Sequence, residues 1–167
     1  MSEKLVYGIK GIRVGTPTGL ATMPATGDLT AFAATVKGSF SFSETESATV
    51  NADTEENELP LETITSENSK LEGVWKIFDN TATTLQKLFG GTVTGEKWVA
   101  AAVKPEIRLA LEIETIAGPI KNIYKAKITA RETGVLSKEG FKQIEVKFSA
   151  LSPGDGLAGH DWDNNPA

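Results

Sequence analysis

The sequence predicts a mainly β fold: two packed antiparallel sheets, a sandwich or distorted barrel, with one short α-helix at about residues 81–89. Three observations carry that expectation. Apolar residues recur at a spacing of two in most segments, the pattern of strands that bury one face. One stretch alone switches to a three- and four-residue spacing with a cap at each end. The 167 residues contain no cysteine, so stability has to come from packing or assembly. A chain near this length buries roughly 70% of its unfolded surface as one domain.

The elements follow in order. Leu5, Tyr7 and Ile9 alternate with Val6, Gly8 and Lys10, predicting a first strand. Gly15 to Gly27, with Pro17, Gly19 and Pro24 among Thr and Ala, reads as a loop, either a plain surface arm or one that docks on a neighbouring subunit. From Phe32 to Val50 the pattern is strand-like, with Phe40 and Phe42 opposite Ser39, Ser41 and Ser43. Ser69 to Phe78 predicts a strand with Leu71, Gly73, Trp75 and Ile77 on one side, and Trp75 and Trp98 read as packing residues.

The helix is written at both ends. Asn80 or Thr81 can accept a hydrogen bond from the first free amides, and Gly90 or Gly91 suits the left-handed stop. Ala82, Leu85, Leu88 and Phe89 form its apolar face, with Leu85, Leu88 and Phe89 as the packing residues. So short a helix must rest on a sheet. Beyond Pro105, Ile107, Leu109, Leu111 and Ile113 oppose Glu106, Arg108, Ala110, Glu112 and Glu114. Ala117-Gly118-Pro119-Ile120 turns the chain into a partner strand with Tyr124, Ala126, Ile128 and Ala130 on one face and Lys125, Lys127, Thr129 and Arg131 on the other. A register placing Ile116 against Lys121 sets Glu112 against Lys125, a favourable cross-strand pair. A face this charged looks at solvent or at a water-filled channel. Lys142 to Leu151 repeats the scheme with Ile144, Val146 and Phe148 inward, and residues 154–167 read as a flexible polar tail rich in Gly, Asp and Asn.

Charge is unevenly spread. The chain carries 22 acidic and 17 basic residues, net −5. Eight acidic residues and no Lys or Arg lie between Glu44 and Glu67: Glu44, Glu46, Asp53, Glu55, Glu56, Glu58, Glu62 and Glu67. On the residues alone this is a solvated hairpin loop, Asn51 to Glu58, between strands. The acidic balance argues against tight binding to a phosphate backbone, which needs clustered Lys and Arg. No apolar run approaches the roughly 20 residues of a membrane span, and Met1 to Gly11 lacks the apolar block of a signal peptide, so cytoplasmic synthesis is expected.

Catalysis has little to stand on. The single histidine, His160, lies near Asp155, Asp161 and Asp163 in the Gly-rich tail, where oxygen ligands could meet a hard cation, but the spacing fits no Ca²⁺ or zinc motif. There is no thiol nucleophile, phosphate-cradling Gly-Lys-Ser/Thr run or dinucleotide fingerprint, and no two carboxylates stand out as an acid–base pair. The expectation is a non-enzyme with no catalytic, cofactor or metal site.

Two blocks carry a resemblance. The first is Ile77-Phe78-Asp79-Asn80-Thr81-Ala82 through Leu88-Phe89-Gly90-Gly91-Thr92-Val93-Thr94-Gly95; the second runs from Ile107 through Ala126-Lys127-Ile128-Thr129 to Gly134-Val135-Leu136 and Ile144 to Leu151. In this order they resemble the tail tube (major tail) proteins of long-tailed bacteriophages, across about half of the chain. Ala82 stands where such sequences often have Pro, and residues 15–29 and 154–167 match nothing in the resemblance. It implies one tail-tube-like β domain at 1–153 followed by the 154–167 tail. It also implies a structural virion protein, assembled in the host cytoplasm, whose hexameric rings stack into a tube with an acidic lumen through which DNA passes without tight binding. Further implied partners are tape measure, tail terminator and baseplate or tip proteins. On that reading Asn51, Asp53, Glu55, Glu56 and Glu58 form an inter-ring loop, and Glu44, Glu46, Glu62, Glu67, Glu112 and Glu114 are candidates to line the lumen. The alternatives are the inner tube of a contractile tail or injection machine, and an isolated β-sandwich module for binding or decoration.

Overall fold

The computed structural model describes residues 3–166; Met1, Ser2 and Ala167, which the expected domain bounds include, lie outside the described residues. The chain is mainly β and antiparallel with one α-helix. Its strands are β1 (Ile9–Gly15), β2 (Thr30–Ala31), β3 (Ser41–Glu44), β4 (Ala48–Ala52), β5 (Glu62–Glu67), β6 (Leu71–Ile77), β7 (Thr92–Thr94), β8 (Lys97–Val99), β9 (Ile107–Thr115), β10 (Ile120–Gly134), β11 (Lys142–Ala150) and β12 (His160–Asp163). The helix α1 spans Ala82–Phe89, and a single 3-10 turn covers Thr26–Asp28.

One sheet runs β2-β1-β9-β10-β11-β6-β3, with β12 added beside β10, while β4–β5 and β7–β8 are separate hairpins. The long sheet curls on itself. Phe32 follows β2 at one edge yet packs edge-on to Trp75 of β6 near the other, ring centroids 6.2 Å apart. The chain after β2 crosses the gap, Thr35 bridging Ile77 and Val36 N–H donating to the Lys76 carbonyl at 2.8 Å. The enclosed core gathers Ile12 and Val14 of β1, Trp75 and Ile77 of β6, Leu111 and Ile113 of β9, and Ile144, Val146 and Phe148 of β11. Gly73 lets Phe148 lie flat across β6: a Cβ there would meet the Phe148 ring at 2.3 Å.

The helix covers part of the core and rests against β7, β8, β9 and β10. Thr81 is its N-cap, its hydroxyl accepting from Thr84 N–H, and Gly90 at φ 69° ends it. Asp79 adds a second layer, accepting from Thr81 N–H at 3.0 Å and from the Thr84 hydroxyl at 2.6 Å. Partial burial alone would raise the Asp79 carboxyl, but these donors hold it below its ordinary value. Leu85, Leu88 and Phe89 are buried, and Trp98 seals the last turn by donating its indole N–H to Gly90 at 2.8 Å.

Five local expectations need correction. The first strand begins at Ile9 rather than Leu5, because Gly8 adopts φ 66° and interrupts the extended run; residues 3–7 are exposed. The Phe32 to Val50 stretch is broken by a turn at Gly38, φ 73°, where the Ser39 hydroxyl donates to the Val36 carbonyl. Glu112 faces Asn122, not Lys125, since the turn at Thr115–Gly118 shifts the register. Moreover a bulge between Ile123 and Ala126 turns Tyr124 to the outer face, away from Ala126 and Ile128. Lastly, residues 160–163 are not a free tail. The β11 ladder ends where Leu151 N–H donates to the Lys125 carbonyl, leaving the first residues of β10 open on that side, and β12 returns to pair with Ile120–Ile123.

Candidate assembly surfaces

The most distinctive surface is the β4–β5 hairpin. Every residue of both strands is exposed, so neither of its faces rests on the body. Its register runs Thr49↔Thr65, Val50↔Ile64, Asn51↔Thr63 and Ala52↔Glu62. Asn51 accepts from the Thr63 hydroxyl at 2.8 Å, and Leu61 N–H closes the loop by donating to the Ala52 carbonyl. Asp53, Glu55, Glu56 and Glu58 therefore sit on the loop itself, while Asn51 belongs to β4. Leu59 and Leu61 are 78% and 65% exposed, and Val50 and Ile64 are exposed as well. A two-stranded hairpin with two wet faces and two unpaired edges is marginal alone, and such edges invite a partner.

The six carboxylates expected near a lumen divide into two groups. Glu44 ends β3, Glu46 lies between β3 and β4, and Glu62 and Glu67 bound β5; all four are exposed and carry no ion pair among the described residues. Glu112 and Glu114 lie instead on the outer face of the large sheet, each with a cation. Glu112 is only 8% exposed and accepts from Arg13 Nε at 2.8 Å; Glu114 pairs with Lys10 at 2.7 Å. The same face continues with Arg108 and Lys127 on Glu106 and with Arg131 and Lys147 on Glu145. The hydrogen bond from Arg131 holds the Glu145 carboxyl below its ordinary value. This face is balanced, whereas the hairpin is one-signed. With eight of the 22 acidic residues between Glu44 and Glu67, the other parts of the chain hold 14 acidic against 17 basic residues.

Around β12 the two sides of the sheet do different things. On the outer face Asp161 accepts from Asn122 Nδ2 at 2.9 Å and from the Tyr124 hydroxyl, and that hydrogen bond, with burial, pushes the Tyr124 phenol up to about 12. On the inner face His160 Nδ1 lies 2.7 Å from Lys121 Nζ, which also sits 5.2 Å from the centre of the Trp162 ring. His160 and Asp161 thus point to opposite sides and do not converge on one ion. Burial lowers both Lys121 and His160, and their mutual repulsion lowers His160 further.

Lys121 is 6% exposed and forms part of a groove of about 660 Å³. Phe40, Phe42, Ile116 and Trp162 are among its walls, and no carboxylate of the described residues lines it. The alternation pattern hides this groove, because Lys121 shares the inward parity of Ile123 ahead of the bulge. Among the described residues no helix is long and apolar enough to cross a membrane. No protein-family model matches the chain, and comparison with curated proteins found no match.

Proposed function

We propose that this chain is a structural tube subunit, which self-associates into hexameric rings stacked as a phage tail tube, a component of the virion assembled in the host cytoplasm. The observation that carries the reading is the β4–β5 hairpin, exposed on every strand residue and acidic, on a body that already has its own core. A feature with no internal support is suited to an external one. In the tube the loop through Asp53, Glu55, Glu56 and Glu58 contacts the adjacent ring. The unpaired carboxylates Glu44, Glu46, Glu62 and Glu67 supply negative charge to the lumen. Glu112 and Glu114 contribute less, because Arg13 and Lys10 neutralise them locally. Carboxylates hold DNA phosphates off over a Debye length of roughly 8 Å at physiological salt, so the genome slides instead of sticking. Tape measure, terminator and tip proteins are the expected neighbours at the tube ends, and the inner tube of a contractile tail or injection machine would use the same subunit logic.

One observation favours a second reading. The apolar groove beside Lys121 falls within the size range of ligand sites, which suits an isolated binding or decoration module. Negative-stain microscopy of the purified chain over a concentration series separates the two. Rings or tubes support the subunit; discrete monomers at the highest concentration overturn it in favour of the module.

A further inference from the structure

We propose that the groove beside Lys121 is the socket for the β4–β5 loop of a second copy, its returning limb Leu59-Pro60-Leu61 entering the groove with Glu58 meeting the Lys121 ammonium. The inference rests on the tube reading and names the contact by which copies join. Plug and socket are complementary in two respects. The plug offers two of the most exposed large apolar side chains of the molecule, each beside a glutamate, and the socket offers apolar walls. The socket's buried amine has a histidine and an indole ring as its close neighbours and no ion pair among the described residues; Asp161 and Glu44 act on it only from beyond contact distance, so an incoming carboxylate would be its first direct partner.

The occupant has to come from another copy. Leu59 and Leu61 of this chain are themselves exposed, so its own loop does not fill its groove. The charge division points the same way, eight acidic residues and no base around the hairpin against a basic excess elsewhere. Because plug and socket are different surfaces, each copy uses one of each. Such a head-to-tail contact closes into a ring or continues as a filament, and never stops at a symmetric dimer.

The absence of cysteine makes cross-linking clean. Leu59→Cys, on the exposed loop, and Ser41→Cys, an exposed groove residue, are each prepared in the full chain, mixed and oxidised. Cysteines bridge only when their Cα atoms come within about 7 Å. A cross-linked dimer from the mixture, a ladder from the doubly substituted chain, and no product when Thr94→Cys replaces Ser41→Cys are the expected results. Lys121→Met, kept folded by circular dichroism, should lower the cross-linking yield several-fold; an unchanged yield overturns the ion pair. Tubes from the wild-type chain without any cross-link overturn the socket and leave the tube reading standing. A ladder from a chain that forms only short oligomers overturns the tube reading and leaves the socket standing. A small amphiphilic carboxylate retained in native mass spectra, with no cross-link, assigns the groove to another occupant and overturns the proposal.

Discussion

The large sheet and the β4–β5 hairpin are made of the same kind of residues, alternating Thr, Ile, Val and Glu, yet they differ in what each strand rests on. In β9 and β11 every second side chain enters the core, Leu111, Ile113, Ile144 and Val146 being almost completely buried. In β4 and β5 none is buried, and Val50 and Ile64, which face each other in the ladder, remain in water. The lesson is that strand pattern and folding contribution are separable. The sheet stabilises the subunit, while the hairpin adds almost nothing to it and keeps its apolar side chains for a partner.

The sharpest way to stress that contrast is to hollow the sheet. Trp75 is 1% exposed and touches Phe32, Phe40 and Phe148 with ring centroids about 6 Å apart. Trp75→Ala should cost about 3–5 kcal/mol, from lost transfer energy and the cavity left behind. Urea unfolding monitored by circular dichroism measures it, and a loss below about 1 kcal/mol would show that the core is not organised around this ring.

The helix belongs with the sheet in this comparison. Leu88 is buried against the structure that α1 covers, so Leu88→Ala should cost about 2–5 kcal/mol. An unchanged melting temperature would mean that α1 is a surface appendage like the hairpin. Its boundaries were readable because caps are local chemistry, Thr81 at one end and Gly90 at the other. The strands β6, β9 and β11 were readable for a related reason, since each buries one face and period two records that. The bulge at Tyr124 and Lys125 leaves no such trace, and one inserted residue was enough to send Tyr124 to the wrong face. Strand β12 was illegible because His-Asp-Trp-Asp alternates polar with amphipathic groups, and what makes it a strand is the open edge of β10. The groove at Lys121 was missed because it is formed by segments far apart in sequence, residues 6–9, 35–42, β10 and β12. The acidic hairpin was visible as charge, but whether it lay on the body or stood off it depends on contacts that no pattern encodes.

A gentler probe lies where β12 closes the sheet. Tyr124→Phe removes the hydroxyl that donates to Asp161 and leaves Asn122 as that carboxylate's donor, a loss of about 1.5–3 kcal/mol for a hydrogen bond to a charged group. The pH dependence has a defined sign. The Tyr124 phenol is raised from its ordinary value of 10.0 to about 12 in the folded chain, so the folded state holds the proton more tightly. That contribution is complete below pH 10.0 and is lost as the pH rises from there through about 12. Denaturation midpoints collected between pH 8 and 12 should fall for the wild-type chain and fall less for Tyr124→Phe; parallel curves would remove Tyr124 as the cause.

The smallest expected effect on folding is the most informative about the hairpin. Deleting residues 52–56 takes away the end of β4 and the first acidic half of the loop, all of it outside the core. No buried contact is lost, and shortening a flexible connection changes loop-closure entropy by only a few tenths of a kcal/mol, so stability should stay within about 0.5 kcal/mol of the wild type. For a chain of this size that is a melting shift of about 2 °C or less. Assembly should respond very differently, because the deletion removes Asp53, Glu55 and Glu56 and repositions Leu59 and Leu61 of the loop. Calorimetry and electron microscopy on the same preparation read the two effects separately. A chain that melts normally and no longer stacks confirms that the hairpin works between subunits. A chain that still builds long tubes shows that the hairpin is only a solvated projection, and a chain that loses several kcal/mol shows that the body leans on it after all.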